Sequence, residues 1–229
     1  MTLEKLESAK HLFLIFPAGC GGNHLANMLS MNPMFAQRST MNPNRYINYM
    51  VQNYFTKFGL PDGGISVAHF TDLENLDLEL IETHTQEILD SEGIYIFCAH
   101  AFEFTLRKKY LVPFNNKIFF LFSVPTEGNK LVKSRMINGP WNNGESINQV
   151  FGRGSKIEEL YKPEVFCKEN SLSMDQIVLI DTDRFYSYEG YDYLNEVLYE
   201  NFRTTLHPFC RDLHSIYIKY NESSNLVDK

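Results

Sequence analysis

Nowhere in these 229 residues does an apolar run approach the ~18 residues that a membrane span needs, so no membrane-spanning helix is expected. Cysteine is scarce. Cys20, Cys98, Cys167 and Cys210 stand far apart with no C-x-x-C pair, which argues against a disulfide scaffold or a zinc knuckle and for a reduced, cytoplasmic chain. Positive charge is in deficit as well: Lys and Arg total 21 against 28 Asp and Glu, a formal net charge of −7. A chain of that sign is poorly suited to non-specific nucleic-acid binding, and neither nucleic acid nor membrane is expected as a partner. The opening MTLEKLESAK mixes acids with lysines and lacks the pattern of a signal peptide.

What is present is an ordinary 44% of hydrophobic residues, enough to bury a core in one domain over 1–229. Four short apolar runs read as strands: HLFLIF (11–16), GIYIFCAH (93–100), KIFFLFSV (117–124) and QIVLIDTD (176–183). Helical periodicity falls between them and after them, over 23–31, 44–58, 72–90, 127–137 and 191–202, with a last helix from Pro208. PDGG (61–64) and GPWNNGES (139–146) read as turn and loop. Strands apolar on both faces, alternating with helices, predict a three-layer α/β/α domain around a mainly parallel sheet. Ligands of such sheets bind beyond the carboxyl ends of the strands. The residues to inspect are therefore Gly19 to His24, His100, Ser123 to Pro125, and Asp181 to Asp183.

The stretch FPAGCGGNHLANML (16–29) joins the first strand to a helix through three glycines, with Asn23 as a candidate N-cap. Unpartnered amides at a helix start, on backbone as permissive as Gly19, Gly21 and Gly22, can hold a phosphate or sulfate. The same stretch also serves as a plain tight turn. It lacks the Lys and hydroxyl that close a triphosphate-binding loop, and the third glycine of the dinucleotide fingerprint is replaced by His24.

GCGGNHLANML resembles the 5′-phosphosulfate loop of the sulfotransferases. Gly19, Gly22 and Leu25 match, Asn23 and His24 stand where that family has two threonines, and Cys20 stands where it usually has a cation. The order of later motifs is also similar. "AH" at 99–100 takes the place of the family's Thr-His, and "SVP" (123–125), after the strand NKIFFLF, takes the place of its Arg-x-Pro. IVLIDTDRFYSYEG and the helix after it are weaker echoes. The resemblance implies a P-loop-like α/β architecture and 3′-phosphoadenosine-5′-phosphosulfate as donor. It further implies no required metal and transfer of a sulfuryl group to a hydroxyl or amine of a small-molecule or glycan acceptor. His100 would be the general base, which needs a neutral imidazole.

The chain departs from the family where charge matters. Ser123 replaces the arginine that binds the donor's 3′-phosphate, and the loop cation is missing at Ala18 or Cys20. Lys130, Lys133 and Arg135 are the nearby substitutes, Ser134 falls near the family's second 3′-phosphate ligand, and FGRGSK (151–156) is another basic loop. His24, if protonated, is a further replacement for the cation. The plainer reading of the cations is solvated surface charge, and the alternative for His24 is a contact with the turn. Cys20 as a thiol nucleophile and a metal face of His207, Cys210 and His214 are weaker alternatives. Two other functions stay open: a catalytically eroded sulfotransferase fold serving as an anion-binding or assembly module, and an atypical nucleotide kinase. Segments 40–70 and 138–160 are expected to shape the acceptor site.

Overall fold

The computed structural model describes residues 11–17, 20–30, 32, 34–35, 68–69, 94–101, 117–126, 129–130 and 156–223. The helices expected over 44–58 and 72–90, the turn at 61–64 and the loop at 139–146 lie outside the described residues. So do most of 127–137 and 151–155.

Strand β1 (His11–Ile15) leads to helix α1 (Gly22–Ser30), and the two-residue strand β2 (Ala68–His69) follows. Next come β3 (Tyr95–Ala99) and β4 (Lys117–Phe122). After α2 (Lys156–Glu159) and α3 (Pro163–Asn170) the chain forms β5 (Ile177–Ile180), then α4 (Thr182–Phe185), α5 (Gly190–Phe202) and α6 (Phe209–Ser223). The strands form one parallel sheet in the order β2-β3-β1-β4-β5, with Phe13 opposite Phe97 on one side and Phe119 on the other. The four expected strands are all present, each shorter than the run that predicts it. The fold is α/β.

Position in the sheet explains composition. β1 is central, and all five of its residues are buried. Its alternating side chains enter two different layers. Leu12, Leu14 and Phe16 join Phe120, Phe122 and Ile180 in a core closed by Leu25, Met28 and Leu29 of α1, Leu194 and Leu198 of α5, and Leu213 and Ile218 of α6. On the opposite face Phe13 stacks on Phe119 at 5.2 Å, and Phe119 meets Phe166 of α3 edge-on at 5.9 Å. Helices thus cover both faces, which is why the strands read as near-continuous apolar runs.

The later helices have legible boundaries. Pro163 opens α3, where its missing N–H costs nothing, and Ser171 closes it in the left-handed conformation at φ 56°. Asp181 caps α4, its carboxylate accepting from the amides of Asp183 and Arg184 at 3.0 and 3.1 Å. α5 ends on Arg203 at φ 52°.

Candidate functional site at the carboxyl edge of the sheet

From β1 the chain proceeds to β2 on one side of the sheet, and from β4 it proceeds to β5 on the other. The carboxyl ends of β1 and β4 therefore flank the point where the winding reverses, the usual ligand crevice of an open parallel sheet. The residues beyond those two ends, with His100 beyond β3, make up the candidate site.

The turn after β1 is tight. The Cys20 amide donates to the Pro17 carbonyl at 3.0 Å, and the Gly21 carbonyl accepts from the Leu25 amide at 3.0 Å. That bond makes Gly21, not Asn23, the residue that caps the helix, and Asn23 lies inside α1. Gly21 sits at φ +71°, and a Cβ there would meet the Tyr186 hydroxyl at 2.6 Å and the Tyr217 hydroxyl at 3.0 Å. A Cβ on Gly22 would overlap the Phe16 ring. Close packing against aromatic side chains is thus a sufficient reason for glycine at both positions. Gly19 and the side chain of Asn23 lie outside the described residues.

The side chains of Cys20 and Leu25 are fully buried in the core rather than at the edge of the turn. His24 is buried too. Its ring stacks on Tyr217 at 3.7 Å, nearly parallel, and Nε2 lies 3.1 Å from Nδ1 of His214. His214 Nε2 donates to the Ser187 carbonyl at 2.9 Å, so its Nδ1 carries the lone pair and His24 Nε2–H is the donor. His24 therefore joins α1 to α6 through the contacts of its buried ring. Burial is the first cause that lowers the His214 pKa, partly opposed by hydrogen bonds to the Ser187 and Phe185 backbone.

His100 follows β3 directly and is half-buried. Its Nδ1 lies 2.8 Å from the Phe16 carbonyl at the end of β1, and its ring meets the Phe16 ring edge-on at 5.2 Å. A carbonyl only accepts, so Nδ1 bears the proton and, in the neutral ring, Nε2 holds the lone pair. The same carbonyl accepts from the Tyr161 hydroxyl at 3.0 Å. Tyr161, just before Pro163, has no distinguishing mark in the sequence. Its partners lie 145 and 60 residues away, and only the fold brings them together.

Beyond β4, the Ser123 hydroxyl accepts from the Thr182 amide at 3.0 Å, and the Thr182 hydroxyl donates back to the Ser123 carbonyl. Ser123 thus fastens the ends of β4 and β5 together. The Asp183 carboxylate accepts from the Thr126 amide at 3.0 Å and from the Asn129 side-chain amide at 2.6 Å, holding the loop that leads to Lys130. Lys130 is exposed. Lys133, Ser134 and Arg135 lie outside the described residues.

Among the described residues no group of three His, Cys, Asp or Glu is placed to hold a metal ion. The His207, Cys210 and His214 pattern is dispersed. His207 is exposed ahead of α6, Cys210 is buried with its thiol bonded to the Met28 carbonyl, and His214 bonds to His24. Burial pushes the Cys210 thiol up to about 12 and raises Cys167 as well. Cys20, Cys167 and Cys210 are all buried thiols outside any disulfide. No described helix is long and apolar enough to cross a membrane. A scan against protein-family models finds no match, and no curated protein matches the chain.

Proposed function

We propose that the chain is a single-domain, P-loop-like sulfotransferase of the cytoplasm. It would bind 3′-phosphoadenosine-5′-phosphosulfate across the ends of β1 and β4 and transfer the sulfuryl group to a hydroxyl or amine of a small-molecule or glycan acceptor. In the reaction His100 Nε2 takes the acceptor proton as the acceptor atom attacks sulfur. The sulfur–oxygen bond to the donor's phosphate breaks, and adenosine 3′,5′-bisphosphate leaves with the electron pair. The helix-start amides of α1 and a cation from the segment 130–135 would meet the charge on the leaving phosphate.

One observation carries this reading. His100 stands beside the end of β1, the strand that feeds the glycine turn, with Nδ1 committed to the Phe16 carbonyl. A base that must act through Nε2 requires that tautomer.

A second reading has its own support. Gly21 and Gly22 are accounted for by aromatic packing, Ser123 is bonded to Thr182, and His24 lies in the core. Those features favour a protein that keeps the fold as an anion-binding or assembly module without transfer.

Thermal unfolding with adenosine 3′,5′-bisphosphate, or with ATP and magnesium, separates the alternatives. A ligand at 100 times its Kd stabilises by about 2.7 kcal/mol, which moves Tm by several degrees in a chain of this length. A shift with the bisphosphate alone supports the transferase. A shift with ATP and magnesium points to an atypical nucleotide kinase. No shift with either leaves the module and removes the transferase.

A further inference from the structure

We propose that Tyr161 is a positioning residue for His100, locking the imidazole in the tautomer that presents Nε2 as a base. The inference rests on the role proposed for His100, although its test needs no transfer reaction. Tyr161 is 6% exposed and lies at the end of the turn between α2 and α3. Its hydroxyl donates to the Phe16 carbonyl at 3.0 Å and accepts from the Ala101 amide at 3.2 Å. His100 Nδ1 donates to that same carbonyl at 2.8 Å.

The contacts close a ring. It runs from the His100 imidazole to the Phe16 carbonyl, on to the Tyr161 hydroxyl and the Ala101 amide, and back to His100 through one peptide bond. A carbonyl oxygen has two lone pairs, and these two donors can take one each. A carbonyl held by the imidazole alone can move with it. A second donor, itself anchored on the backbone next to His100, fixes the carbonyl relative to β3. The Phe16 side chain, edge-on to the imidazole, limits rotation of the ring. Tyr161 thus holds in place the carbonyl that dictates which nitrogen of His100 bears the proton, without needing to touch the acceptor.

Nitrogen-15 NMR of the full chain with labelled histidine, with His100 assigned by its loss in His100→Gln, tests the proposal. In the wild type above neutral pH the His100 proton is expected on Nδ1. In Tyr161→Phe the ratio of the Nδ1–H to the Nε2–H tautomer should fall by about threefold, part of the worth of one hydrogen bond, because the His100 bond to the carbonyl remains but is held less firmly. A wild-type proton on Nε2, or an unchanged ratio in a folded variant, overturns the proposal. If Tyr161→Phe does not fold, 3,5-difluorotyrosine at 161 keeps the ring and makes the hydroxyl a stronger donor. The His100 Nδ1 resonance should then move while that of exposed His207 stays, and an unmoved His100 signal overturns the proposal. Thermal shift with adenosine 3′,5′-bisphosphate, run alongside, reads the donor site separately. A Tyr161-dependent tautomer without bisphosphate binding removes the transferase and keeps the positioning contact.

Discussion

At the scale of single residues, Gly21 answers two demands at once. Its φ of +71° is costly for any side chain, and the space its hydrogen leaves is taken by the Tyr186 and Tyr217 hydroxyls, themselves bonded at 2.8 Å. Gly21→Ala should lower stability by about 1–3 kcal/mol, measured by urea unfolding. An alanine variant as stable as the wild type would mean that the turn relaxes freely. His214 carries a pH dependence whose sign follows from its depressed pKa. The unfolded ring takes a proton near pH 6.5 while the folded ring resists, so the unfolded chain binds more protons below that point. Stability is full above pH ~6.5 and falls as pH drops toward the folded value. The urea midpoint should decline between pH 7.5 and 5.5 in the wild type, and less steeply in His214→Gln.

The same scale shows what residue patterns reveal. A polar residue directly after an apolar strand is conspicuous, and His100 was legible for that reason. His24 was legible in principle: it is four residues from Met28, on the buried side of α1, and periodicity alone assigns it to the core. A family position, read in place of that periodicity, suggests a ligand instead. Tyr161 and the Ser123–Thr182 pair were not legible, because each contact joins segments that are at least 59 residues apart in sequence.

At the scale of elements, short pieces rely on their ends. α4 has four residues, too few to be stable without help, and Asp181 satisfies two of its first amides. Asp181→Ala should cost about 1 kcal/mol. It should also speed hydrogen exchange at the Asp183 and Arg184 amides, an effect visible by NMR even where the global loss is small. β5 also shows why strand ends are hard to read. QIVLIDTD is apolar only in its middle, and Asp181 turns the chain into α4. β2 has two residues and no run for periodicity to detect. α3 was missed because only Phe166, Cys167 and Asn170 are buried along it, a weak apolar stripe, although Pro163 marked its start.

At the scale of the whole molecule, stability concentrates where the sheet is covered twice. Phe13, in the central strand and fully buried, should cost about 3–5 kcal/mol when replaced by alanine. Leu179, on the edge strand and 53% exposed, should cost within about 1 kcal/mol. Denaturant midpoints of the two variants check the contrast, and equal losses would contradict the double coverage of β1. The α/β class followed from the unbroken apolar runs, since only strands hidden on both faces tolerate them. Strand order did not follow, because it depends on long connections that carry no register signal of their own.

The enclosed sulfurs give these molecules an internal chronometer. An alkylating reagent reaches Cys20 and Cys210, on the α1 and α6 side of the sheet, or Cys167, on the α3 side, only when the surrounding layer opens. The order in which those sites acquire mass would record which helical layer detaches first, a sequence of events that a single melting curve averages away.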